Sequence, residues 1–308
     1  MRVSTFHGVP ESTDGRIEGR ASDVAIVGAP LDLGAADRPG ARFGPDAIRT
    51  APYLAGEIYH LALETKVFAY TAVVDAGDSD ISIADHVQSI DNLRKKLREV
   101  VANTGCLVTL GGDNSIVLPA LEAVVEQHGP ISLVHFDAHT DTWGDDTDRL
   151  THATVIRRAV EQGLIRRGHQ IGIRGFGPFG EVLRWGEENG LTVWSMDTID
   201  HLGLDEVVQS ILLQLTGPVY LSVDIDVLDP AYAPGTGTPE PGGLTTRELL
   251  RAIRTLARNL DVVGFDVVEV SPPYDTSEIT AIAANRCVME LLGAKTRRAR
   301  ETTDEVPR

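Results

Sequence analysis

The chain has 308 residues, 42% of them hydrophobic, and a formal net charge of −17. That length and apolar content allow a full buried core. The charge argues against nucleic acids and anionic membranes as partners, since both would repel it, and favours metal ions and cationic small molecules. Along the chain, apolar runs bounded by Gly, Pro and Asp alternate with stretches of helical period. Strand candidates begin at Asp23 (DVAIVGAP), Lys66 (KVFAYTAVVDAG), Cys106 (CLVTLGGD), Ile131 (ISLVHFDAH), His169 (HQIGIRG), Leu191 (LTVWS), Val219 (VYLSVDID) and Asp261 (DVVGFDVVEV). Helix-like stretches lie around 83–102, 115–128, 152–163, 179–189, 203–215, 245–258 and 277–293. Strands that are continuously apolar are covered on both faces, so the pattern predicts a single three-layer α/β/α domain over 23–294 built on a parallel eight-stranded sheet. Residues 1–22 and the charged tail 295–308 are expected to be loose. Cys106 and Cys287 stand far apart in apolar surroundings and read as buried thiols. With no apolar leader and no run of membrane-spanning length, a cytoplasmic protein is expected.

Polar residues gather where strands end. Asp113 closes the third run, Asp137 and His139 the fourth, Asp224 and Asp226 the seventh and Glu269 the eighth. In open parallel sheets that edge is where ligands bind. Buried, closely spaced carboxylates repel unless a cation joins them, and a metal is the economical remedy. In DAHTD, extended backbone would send Asp137, His139 and Asp141 to one side, and Asp224 with Asp226 repeat the arrangement. An oxygen-rich set with one imidazole and no thiolate prefers a harder ion such as Mn²⁺ over structural zinc, and so many acids suit two ions.

Taken alone, a single Asp-x-His-x-Asp is more often a helix cap or loop turn than a metal site; two clusters at equivalent sheet positions change that balance. Glu269 has the alternative of a salt bridge at the sheet edge, and His152 that of an ordinary residue near a helix start. His60, His86, His128, His169 and His201 are read as surface or loop residues, and Trp143 as wall or core.

The motifs RPGARFGPDAIR (38–49), GGDNS (111–115), FDAHTDTW (136–143), SVDIDVLDP and GFDVVEVSPPYD together resemble the ureohydrolase family of arginases, agmatinases, guanidinobutyrases and formimidoylglutamases. The resemblance runs from about Ala25 to Leu292 and is nearest the agmatinase branch. It implies an arginase-like, doubly wound parallel eight-stranded sheet assembled as a homo-oligomer, a trimer or hexamer. It implies two Mn²⁺ per subunit, ligated by Asp137, His139, Asp141, Asp224 and Asp226, with Asp137 and Asp224 bridging. His152 is implied as proton shuttle, Glu269 as the carboxylate that grips a guanidinium, and Asp141 as a ligand that also serves catalysis. The implied reaction is hydrolysis of a guanidino compound to urea and an amine by a hydroxide between the ions.

Two features set this sequence apart. Where the family carries His in GGDHS, this chain has Asn114, a neutral amide oxygen donor weaker than imidazole for a transition metal, so the first ion is expected to bind more loosely. The loop WGDDTDRL offers Asp145, Asp146 and Asp148 against Arg149, which favours a substrate with a cationic tail, as in agmatine. Two alternatives stand beside that reading: hydrolysis of formimidoylglutamate or a guanidino acid, and a metal-depleted homologue that binds without turnover.

Overall fold

In the computed structural model, residues 5–51, 57–82, 84–144, 149–177 and 179–304 are described, with the side chains of 303 and 304 left aside. Among them, eight strands form the central sheet: β1 (Val24–Ala29), β2 (Val73–Asp78), β3 (Leu107–Gly111), β4 (Ile131–Phe136), β5 (Ile165–Ile173), β6 (Leu191–Ser195), β7 (Pro218–Asp224) and β8 (Asp261–Val268). All pair in parallel, in the order β6-β5-β4-β7-β8-β3-β1-β2. The chain winds outward from β4 to β6, then returns to lay β7 and β8 between β4 and β3. A doubly wound sheet of this kind opens a crevice at each reversal.

Helices α1 (Gly44–Thr50), α2 (His86–Val101), α3 (Val117–His128), α4 (Val155–Glu161), α5 (Phe179–Glu188), α6 (Met196–Leu202), α7 (Leu204–Gln214), α8 (Thr246–Asn259) and α9 (Ile279–Asp304) fill the connections. Successive residues of β1 show why its sequence is apolar throughout. Val24 and Ile26 enter one core, Ala25, Val27 and Ala29 the other. The first core is covered by α1, α6, α7, α8 and α9 through Ile48, Ile199, Val207, Ile253 and Val288. The second is covered by α2, α3 and α4 through Leu93, Leu121 and Ile156. Helix α8 shows how such an element is specified: Thr245 and Glu248 form a capping box, and Leu249, Ile253 and Leu256 recur on the buried face.

The structure departs from the sequence reading at its ends and in two interior places. Phe6 is fully buried, and its N–H donates to Asp75 Oδ2 at 2.9 Å. The same carboxylate holds the buried Arg49 guanidinium at 2.8 and 3.0 Å, so the N-terminal segment is pinned by an acid the interior already needs. At the other end α9 continues to Asp304; Thr296 is buried against Val67 O and Thr71, while Arg297 and Glu301 pair outside at 2.8 Å. Lys and Arg are good helix formers, so charge alone did not mark the helix end. The run from Lys66 splits: only Val73–Asp78 joins the sheet, and Thr65–Lys66 pairs with Tyr59–His60 in a separate ribbon. His169, read as a surface histidine, is buried in β5 and stacked by Trp194. Cys106 and Cys287 are free and buried. Among the described residues no helix is long and apolar enough to cross a membrane.

Candidate metal centre

The carboxyl ends of β4, β7, β8 and β3, four neighbours at the middle of the sheet, carry the clustered acids. After β3 the backbone must turn tightly: a Cβ on Gly112 would stand 2.4 Å from the carbonyl oxygens of both Ala29 and Leu31. Asp113 then builds the loop and does not face solvent. It accepts from Gly34 N at 2.7 Å, from Ser115 N at 2.9 Å and from the Ser115 hydroxyl, capping the turn that leads into α3. Asn114 is wholly buried. Its backbone N–H donates to Glu269 Oε1 at 2.7 Å and its amide nitrogen to Asp141 Oδ2 at 2.5 Å. The Asn114 side chain thus faces the acids.

The strand β4 ends at Phe136, so DAHTD is not extended backbone as the spacing argument assumed. Asp141 sits at φ 51° and Glu269 at φ 62°, a left-handed region that costs a non-glycine residue energy and that recurs at functional sites. The residues converge nevertheless. His139 Nδ1 lies 3.1 Å from Asp226 Oδ2 and 3.4 Å from Asp137 Oδ1. His135, which the sequence reading passed over, places Nε2 3.0 Å from Asp137 Oδ2. Two groups of donor atoms lie within 4.8 Å of one another: Asp137, His139 and Asp226, and His135, Asp137 and Asp141. Asp137 belongs to both. Among the described residues Asp224 belongs to neither; its Oδ1 accepts the Asp226 N–H at 2.9 Å and caps the turn Ile225–Val227.

Supporting contacts come from residues the sequence offered no reason to select. Arg174 donates its backbone N–H to Ala138 O at 3.0 Å and its guanidinium to the carbonyls of Asp226 at 2.7 Å and Glu240 at 2.6 Å. One residue therefore joins the two ligand-bearing loops, by its backbone to one and by its guanidinium to the other. Thr238 Oγ1 donates to Asp226 Oδ2 at 3.2 Å. His152 lies with Nδ1 3.3 Å from Glu269 Oε1, and its Nε2 accepts from Ala36 N at 3.1 Å. Trp143 is half exposed and so does not belong to the core. Asp145, Asp146 and Asp148 lie outside the described residues. Arg149 lines a cleft of about 910 Å³ beside His152, together with His86, Arg94 and Leu33.

The electrostatics describe a site crowded with negative charge. Burial, then the charge of Asp137, pushes the Asp141 carboxyl up to about 8. Burial and Glu269 push Asp113 up to about 7, and burial with Asp226 and Asp137 lifts Asp224 well above the carboxylate range. Burial opposes a cation on His139, but Asp226 and Asp137 outweigh it and hold the imidazole up to about 12; Glu269 likewise raises His152 to about 9 against its burial. Between the unfolded histidine value near 6.5 and about pH 9 the folded chain retains protons that the unfolded chain releases, so stability falls as pH rises. Thermal melts in chelator should therefore show Tm dropping from pH 6.5 to 9, and added Mn²⁺ should flatten the slope because a metal ion takes the place of those protons. A Tm that rises over this interval would contradict the charge balance described here.

The residues fit a bound divalent cation. Asp137 Oδ2 and Asn114 Oδ1 are buried without a hydrogen bond, an expensive state for acceptor atoms unless something else meets them. Comparison with known proteins points the same way. The arginase family description matches residues 22–293. Proclavaminate amidinohydrolase of Streptomyces clavuligerus is 40% identical, over 94% of this chain and 92% of its own; its solved structure superposes with a TM-score of 0.90, covering 97% and 98%. Agmatinase of Chromobacterium violaceum is 42% identical over 88% of this chain and 83% of its own, and the human mitochondrial guanidino acid hydrolase 40% identical over 88% and 78%. Matched over nearly its whole sheet and all of its clustered acids, the chain belongs to the arginase family.

Proposed function

We propose that the protein hydrolyses the guanidinium group of a small guanidino compound to urea and an amine. The observation that carries this reading is the pair of donor groups sharing Asp137, with Glu269 and His152 beside them. Asp137, His139, Asp141 and Asp226 would hold the ions, with Asn114 at the first site and Asp224, outside both donor groups, as a further ligand. The oxygen-rich donor set favours manganese. Bound manganese would supply the Lewis acidity that yields a nucleophile from water near neutral pH.

Glu269 orients the substrate. Asn114 N–H fixes Oε1, which leaves Oε2, beside Gly237, to accept from a guanidinium fork by charge-assisted hydrogen bonds. Holding the cation in one pose makes attack effectively unimolecular. His152 turns Nδ1 to Glu269 at 3.3 Å, and that carboxylate holds a proton on the ring. That proton is placed to reach a leaving amine as the carbon–nitrogen bond breaks.

For the tail of the substrate, the acidic residues 145, 146 and 148 favour an ammonium, as in agmatine. The cleft lined by Arg149 and His86 favours instead the carboxylate of a guanidino acid. Urea release from agmatine, 4-guanidinobutanoate and arginine, and formamide release from formimidoylglutamate, measured with and without Mn²⁺, separate these readings. Binding without turnover of any of them would leave a non-catalytic homologue. The reading extends to a cytoplasmic homo-oligomer, a trimer or hexamer, which light scattering would test.

The Asn114 contacts also yield an expected result. As its amide nitrogen is turned to Asp141, only Oδ1 remains as a neutral donor for the first ion. Dialysed protein should hold nearer one manganese than two per chain. Asn114→His should raise stoichiometry, and affinity by about tenfold or more. Equal metal content in both proteins would show that residue 114 makes no contribution to the ion.

A further inference from the structure

We infer that His135 is a positioning residue, which turns a protonated Nε2 toward Asp137 in a tautomer fixed by Gln170, and that it does not replace the imidazole absent from position 114. This rests on the reading of the cluster as a metal centre. Its proximity to Asp137 and Asp141 invites the opposite assignment, a third ligand to the first ion. The hydrogen bonds decide against that.

His135 on β4 stands directly opposite Gln170 on β5, so the two side chains share a face of the sheet. Gln170 Nε2 lies 2.6 Å from Thr140 O. A carbonyl oxygen only accepts, so the nitrogen and not the oxygen of the amide must face it. The same nitrogen lies 3.2 Å from His135 Nδ1, which therefore accepts. The ring proton is left on Nε2, 3.0 Å from Asp137 Oδ2. A protonated nitrogen has no lone pair for a metal. Freeing Nε2 as a ligand would require the proton to move to Nδ1 and the amide to reverse, setting two oxygens 2.6 Å apart. A cationic ring would lose the Gln170 bond in the same way.

Asp137 is thus fixed at Oδ1 by a hydrogen bond from the His139 N–H at 2.5 Å, while Oδ2 faces the His135 proton in a charge–dipole contact at 3.0 Å. The second contact is off line, which keeps Oδ2 electron density available. Since this carboxylate belongs to both donor groups, its angle sets both. The first group then contains no imidazole, and His139 is the one histidine among these residues whose nitrogen meets an ion.

The test uses the full chain loaded with Mn²⁺. Calorimetry should show His135→Gln, which retains a donor, binding within about threefold of the parent, and His135→Phe, which has none, binding at least tenfold more weakly. Pulsed electron paramagnetic resonance with ¹⁵N-histidine should show the same histidine coupling in the parent and in His135→Gln, and its loss in His139→Asn. A coupling lost in His135→Gln, or parental affinity in His135→Phe, overturns the inference. Should His135→Phe fail to fold, the couplings still decide. A parent protein that binds no manganese would sink the metal reading itself, a result distinct from normal binding by both variants.

Discussion

Glu269→Gln is expected to lower kcat/KM for the best guanidino substrate by at least a hundredfold, about 2.7 kcal/mol, with no loss of folding stability. The substitution preserves shape and one acceptor oxygen, so the Asn114 N–H at Oε1 keeps its partner. What disappears is the charge that meets the guanidinium. That charge also burdens its neighbours: it helps to lift the carboxyls of Asp113 and Asp224 and holds the proton on His152. Removing it relieves buried acids, so the metal-free variant should melt no lower than the parent. The His152 proton should then be released at lower pH, moving the alkaline limb of the rate profile downward. Near-parental turnover, or a large drop in Tm, would make Glu269 structural.

The second large effect is expected at Asp137. Because its carboxylate belongs to both donor groups, Asp137→Asn should cost both ions, whereas Asp141→Asn should cost the first alone. The amide conserves volume but brings two donors among groups arranged to meet a cation. A ligand present at a hundred times its dissociation constant stabilises the folded state by about 2.7 kcal/mol per site. The parent should therefore melt higher in Mn²⁺, Asp141→Asn should keep part of that rise, and Asp137→Asn should show none. Urea release should disappear in parallel. A manganese-dependent rise surviving in Asp137→Asn would show that the two groups do not share this residue.

Much of the site was legible because its acids interrupt apolar runs at the ends of strands. Asp137, His139 and Asp226 stand out on charge alone, and the sheet brings them together. The inference of a common side for residues 137, 139 and 141 reached a convergent set through the wrong backbone, for the strand stops at Phe136 and Asp141 turns left-handed. His135 and Gln170 were not legible. Both lie inside strands, where a polar side chain looks like a core residue satisfied by some neighbour, and only strand register makes them partners. Arg174 was hidden for another reason: its bonds run to backbone carbonyls, which leave no trace in sequence. The ends were misread because charge and small polar residues suggested looseness, while Phe6 and Thr296 show how one buried side chain secures a segment.

The strand order also bears on how the molecule comes into being. Strands β3 and β4 are separated in the finished sheet by β7 and β8, which come from residues 218–268. Until that stretch has been synthesised, β3 and β4 each present an unpaired inner edge of apolar backbone, and the ends that carry Asn114 and Asp137 have no common frame. Long-range parallel pairing of this sort is slow, and open edges invite association with other chains. A nascent chain ending before β7 would hold two partial sheets, with neither Asp226 nor Glu269 yet made. Arrival of the last two strands closes the sheet and sets Asp226 and Glu269 beside the acids already made, so that the centre is assembled in the same step that removes the exposed edges.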